Sequence, residues 1–175
     1  MDTTGIPADT KDWTWVLDRP CPECGLDAGG VAPEQVGALV ASTLPRWAAV
    51  LARPDARDRP DPHTWSPVEY AAHVRDVFDV MTGRLTLMLT EDDPPFADWD
   101  QDAAALAAGY ESSDPVLVGQ ELEAAGRRAA DAFGAVREGD VERPGRRSNG
   151  SVFTVATLGQ YFVHDVIHHL HDVNA

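Results

Sequence analysis

Apolar residues at three- and four-residue steps recur in several long stretches of this chain, and that period belongs to helices buried along one face. In "APEQVGALVASTLPRWAAVL" the stripe runs Val36, Leu39, Val40, Thr43, Trp47 and Val50, with Pro45 expected to bend the helix. "SPVEYAAHVRDVFDVMTGRLTLML" opens with Ser66 as cap, Pro67 at the first helical position and Glu69 completing a capping-box pattern. Its stripe runs Tyr70, Val74, Val77 and Met81. A third long helix starts behind Asp114 in "SDPVLVGQELEAAGRRAADAFGAV", and a fourth is predicted from about residue 154 to about 173. "RPDARDRPDPHT", "EDDPPFADWD" and "REGDVERPGRRSNGS" read as connections, dense in proline, glycine and charge, and a short alanine-rich segment follows the second. No window sustains two-residue alternation, and no repeat is visible. The prediction is an all-α four-helix bundle with long connections.

With 175 residues, 43% of them hydrophobic and 25% charged, the chain suits one domain with one core over 1–175, its first 32 or so residues forming an arm that holds both cysteines. The net charge of −15 repels phosphate backbones and anionic membranes, which excludes nucleic acid and lipid surfaces as expected partners. The opening "MDTTGIPADTKDW" has neither a basic start nor an apolar run of signal length, and no later run approaches a membrane span, so a cytoplasmic location is expected. The oligomeric state stays open, a homodimer included.

Four of the six histidines fall in the last fifteen residues, within "YFVHDVIHHLHDV". On a helix, residues four apart lie about 40° apart on adjacent turns. His164 and His168 therefore share a stripe that also takes in His171, whereas His169 is predicted to turn away. Two imidazoles so placed can converge on one cation. A third ligand must come from elsewhere, and His73 qualifies because it lies on the apolar face of the second predicted helix. The competing reading makes His73 a hydrogen-bonded core histidine, and makes histidines near a helix end partners of the helix dipole.

The order "WSPVEYAAHV", "GRLTLMLTEDDPPFADWDQD" and "HDVIHH" resembles the DinB/YfiT-like superfamily, in particular its branch of mycothiol-dependent S-transferases and maleylpyruvate isomerase, over most of the chain. The resemblance implies a four-helix bundle holding one divalent metal, with His73, His164 and His168 as ligands and His171 outside the ligand set, where it can orient a ligand, accept a proton or simply be exposed. Zinc is the expected metal, with nickel or iron as alternatives, since imidazole suits several cations. Three neutral imidazoles leave the cation its double charge and an open position, which suits catalysis better than a purely structural role. The family further implies a low-molecular-weight thiol such as mycothiol, activated as thiolate and added to an electrophilic small molecule. The alternative is a non-catalytic metal-binding or stress-associated member.

Around that centre, Arg84 follows His73 by eleven residues, returns to nearly the same face, and can hold a substrate carboxylate. Tyr161 precedes His164 by one turn and can contact a ligand; an ion-paired arginine and an ordinary core tyrosine are the plainer readings. "RPGRRSNGS" is a basic island that can attract anions, although a solvated loop explains it as well. Cys21 and Cys24 in "RPCPECG" form half of a zinc-ribbon knuckle with no second cysteine pair, which leaves packing, redox chemistry or auxiliary metal binding. Asp98, Asp100 and Asp102 alternate as in a calcium loop, but Ala103 and Gly109 stand where that loop needs glycine and glutamate. A loop leading into a helix start is the reading that remains.

Overall fold

Each predicted long stretch is a helix in the computed structural model, which describes residues 5–175. Helices α1 (Val36–Leu51), α2 (Pro67–Thr90), α4 (Pro115–Gly134) and α5 (Val155–Asp172) form the bundle, and the short α3 (Gln101–Ala108) lies in the connection between α2 and α4. Both α1 and α2 pack against α4 and α5, so α1 and α2, consecutive in sequence, face each other across the bundle diagonal. The arm folds into short 3-10 turns, Trp13–Leu17 and Ala28–Gly30, which lie on α5.

The helix boundaries follow local chemistry. Asp114 accepts hydrogen bonds from the backbone N–H groups of Val116 and Leu117 at 2.9 and 3.1 Å, and Asp100 accepts one from Ala103 at 2.9 Å. The "DWDQD" segment is thus a helix start. Pro45 lies inside α1 and does not end it. Gly37 is required where α1 crosses α4, because a Cβ there would come within 2.5 Å of the Ala130 carbonyl oxygen. Val36, Val40, Thr43, Trp47 and Val50 of the predicted α1 stripe are buried, as are Val74, Val77 and Met81 of the α2 stripe.

At the start of α2 the backbone N–H and hydroxyl of Ser66 both donate to the Glu69 carboxylate at 2.8 Å, and Arg59 donates to both carboxylate oxygens. Burial alone would raise the Glu69 pKa, but Arg59 and Ser66 outweigh it and hold the carboxyl below its ordinary value. The ionised form is therefore favoured by folding. Its contribution is complete above the unfolded-state pKa and is lost as the pH falls through the lower folded-state value. Glu69→Gln is expected to cost about 2 kcal/mol at neutral pH and to flatten this part of the acid dependence, as urea unfolding at several pH values would show.

One element differs from the sequence expectation. "PPF" and "RPGRRSNGSVFT", read mainly as loops, contain a small sheet of β1 (Pro95–Phe96), β2 (Pro144–Arg147) and β3 (Val152–Thr154). β2 pairs in parallel with β1, Pro95 opposite Arg146, and antiparallel with β3, Gly145 opposite Phe153. Strands of two to four residues are too short to display alternation. Their register still matters, because alternate β2 residues turn inward and Arg147 is one of them.

Candidate metal centre

Helix α5 presents two adjacent donor stripes, offset by one residue and hence by about 100°. The stripe facing α2 carries Asp165 and His169, and it meets His73 there. One donor atom from each of these three residues lies within 4.8 Å of the others. Asp165 Oδ1 is 3.1 Å from His169 Nε2 and 4.0 Å from His73 Nε2, separations that one cation about 2.0–2.2 Å from each donor can span. The neighbouring stripe carries His164 and His168, which gather with Cys21 and Cys24 of the arm, again within 4.8 Å.

His73 provides the test of fit for a metal. Its side chain is 1% exposed, Trp99 stacks on it at 5.4 Å and Trp65 lies at the same centroid distance, yet neither ring nitrogen has a hydrogen-bond partner. An unsatisfied buried polar group costs about 1–3 kcal/mol, and a cation shared with Asp165 and His169 removes that cost. Burial lowers the His73 pKa, only partly offset by Asp165, so the imidazole is neutral and ready to donate a lone pair. On His169, burial is outweighed by Asp165 and Asp172, which raise its pKa to about 9, so a cation bound at Nε2 would displace the proton there to solvent. Asp172 binds His169 Nδ1 at 2.8 Å, which orients the ring with Nε2 toward Asp165. A carboxylate behind a ligating histidine is the usual outer partner in metal sites. Asp165 would be raised by burial, but His169 and His73 hold it far below the ordinary carboxylate range.

The centre borders a cavity of about 340 Å³ whose wall includes Trp65, Met81, Trp99 and Tyr161. Arg84 and Arg147 enter the same wall, 6% and 9% exposed. Arg84 donates to the Ala97 carbonyl at 3.0 Å, and its guanidinium lies 5.0 Å from the Phe96 ring centre. No carboxylate within ion-pair distance of Arg84 is found among the described residues. Burial and the neighbouring Arg147 both lower the Arg84 pKa. Arg147 is held by Asn149 and Ser151, each at 3.0 Å, and lies 3.6 Å from Asp98. Two buried guanidiniums with so little negative charge between them suit an anionic group.

The structure therefore separates residues that the sequence reading combined. His164 and His168 do lie together, but His73 is not in their donor group. His169, expected to turn away, faces His73 with ring centres 4.7 Å apart. A helix rotates by about 100° per residue, so which of two i, i+4 pairs meets α2 is set by how α5 packs. His171 is exposed and belongs to neither group. Tyr161 lies on the cavity wall, its pKa raised by burial, with the Arg147 guanidinium 5.8 Å from its ring centre. Asp165, Asp172 and Arg147 were not singled out from the sequence, and His169 was placed outside the ligand set, although Asp165 and His169 carry a visible carboxylate-to-histidine spacing of four.

The family model of the DinB superfamily matches residues 43–173. Among solved structures, a match covers 96% of this chain and 89% of the other at 17% identity and a TM-score of 0.67; it is YfiT from Bacillus subtilis, described as a probable metal-dependent hydrolase with an unusual four-helix bundle topology. No curated protein sequence matches the chain.

Proposed function

Because the chain belongs to the DinB superfamily, we propose that it is a metal-dependent enzyme whose divalent cation is held by His73, Asp165 and His169. The observation that carries this reading is the buried His73 imidazole, without a hydrogen-bond partner on either nitrogen and facing an Asp–His pair at the edge of a cavity. A cation with three protein ligands supplies Lewis-acid chemistry at its open position, where a thiol or water loses its proton more readily. The chain's own groups do the rest. Asp165 contributes the one negative charge of the ligand set, Asp172 fixes the ring of His169, and Trp65 and Trp99 keep water from His73. Arg84 and Arg147 bind the anionic end of the substrate, with Tyr161 beside them.

In this reading the reaction is the transfer of a low-molecular-weight thiol, of the mycothiol class, to an anionic electrophile, with zinc as metal. The description of YfiT favours a second reading in which water replaces the thiol and the reaction is hydrolysis. Metal-loaded protein is expected to consume electrophiles only when thiol is added, and His73→Ala to abolish the consumption. Thiol-independent turnover would favour hydrolysis, and no turnover by fully loaded protein would defeat the enzymatic reading.

Arg84→Met is expected to raise KM for an anionic electrophile about 10- to 100-fold, the range of a charged hydrogen bond of about 1.5–3 kcal/mol. Steady-state kinetics with a neutral analogue provides the control, since its KM should stay unchanged.

A further inference from the structure

The second donor group borders the same cavity through His164 and His168, but it gathers four protein donors where the first gathers three. Cys21 and Cys24 occupy the turn "CPECG", in which the Cys21 backbone carbonyl accepts from the Gly25 N–H at 2.9 Å. Gly25 has φ +76, a conformation that side chains disfavour, and it lets the turn fold both cysteines toward one side. Opposite them, His164 and His168 project from adjacent turns of α5. Cys21 Sγ lies 3.6 Å from His168 Nδ1. Tetrahedral zinc, with Zn–S of about 2.3 Å and Zn–N of about 2.0–2.1 Å, sets sulfur and nitrogen about 3.6 Å apart. His164 is 4% exposed, and its Nε2 is buried with no partner. The other nitrogen of His168 faces carboxylates, Glu23 at 3.5 Å and Asp172 at 3.6 Å, the outer partners that a ligating histidine uses.

We propose that Cys21, Cys24, His164 and His168 form a structural zinc site, separate from the pocket centre, that fastens the N-terminal arm to α5. Four protein ligands leave no open position, which suits structure and not catalysis. Binding expels the two thiol protons to solvent, and the two thiolates neutralise the cation. The cysteine pair supplies one half of the coordination shell and α5 the other, which explains why the chain needs no second cysteine pair. The arm is also held by Gln160, which donates to the Gly29 and Val31 carbonyls at 3.0 Å, and by Trp13, 5.7 Å from His164 and 5.1 Å from His168. Ile6, Lys11 and Trp13 of this arm line the cavity together with His164 and His168, so the zinc site positions a wall of the pocket. Asp172 touches His168 of one group and His169 of the other, so the two centres share an outer carboxylate.

The full chain, refolded with zinc and freed of loose metal, is expected to hold about two equivalents, falling to about one in Cys21→Ser. Cobalt-substituted wild-type protein should show intense thiolate-to-cobalt charge transfer, absent in Cys21→Ser and kept in Asp165→Ala, whose lesion lies in the pocket centre. Asp165→Ala that keeps full turnover, or wild-type protein that shows the band but no turnover, would thus count against the pocket reading alone. Should Cys21→Ser fail to fold, wild-type protein still decides the matter: bound zinc should slow alkylation of both cysteines at least about 10-fold, and chelation should restore it and shift Trp13 emission to longer wavelength. Full-rate alkylation of zinc-loaded protein, cobalt protein without charge transfer, or a Cys21–Cys24 disulfide in the zinc-loaded chain would overturn the proposal.

Discussion

Asp165→Ala is expected to weaken metal binding at the pocket centre by on the order of 100-fold or more and to abolish turnover. Loss of an outer-shell partner alone typically costs 10- to 100-fold in metal affinity, and Asp165 is placed as a ligand. Its Oδ1 lies between His73 and His169, so its removal takes away both a donor and the only negative charge among the three. His169 then keeps Asp172 alone, and the pKa that the two carboxylates together raise to about 9 must fall. The fold should tolerate the change, because the Asp165 side chain is 25% exposed and its loss opens no closed cavity. Calorimetric titration with zinc, paired with thermal melting, checks both halves. A variant that still binds two equivalents of zinc as tightly as the wild type would show the ligand set to be wrong.

Phe162→Ala should produce the largest loss of stability, about 3–5 kcal/mol, and lower the melting midpoint by roughly 10 °C at this chain length. Phe162 is 0% exposed, meets Phe78 of α2 edge-on at 5.9 Å and packs on Phe133 of α4 at 4.9 Å. Removing the ring leaves a void between three helices whose other side chains already sit in contact, and close packing limits how far they can collapse. The same ring helps set the rotation of α5, two residues before its first donor. Metal-free protein should therefore show the full destabilisation in urea, and added zinc should restore less stability than it gives the wild type, because ligand stabilisation scales with affinity for the folded state. A variant with unchanged urea midpoint would mean that the contact is replaced by local repacking.

The helices were legible because their signals are local. Ser66 with Glu69 and Asp114 mark helix starts within a few residues, and the Val36-to-Val50 stripe repeats at the helical period. The histidine-rich end of the chain was legible as donor chemistry for the same reason. Arg147 was harder to read, because it owes its inward direction to a four-residue strand paired with segments some fifty residues earlier and a few residues later.

Residue spacing alone determined that this chain forms a helical bundle, that His164 pairs with His168 along α5, and that Cys21 and Cys24 have the spacing of half a zinc knuckle with no second cysteine pair. Only the tertiary structure decided the partners: Asp165 and His169 meet His73, while the histidine pair meets the cysteines from more than a hundred residues away. Spacing fixes which side chains share a stripe of a helix, but the direction each stripe faces is set by the apolar packing that holds the helix in place, and no local pattern records that rotation.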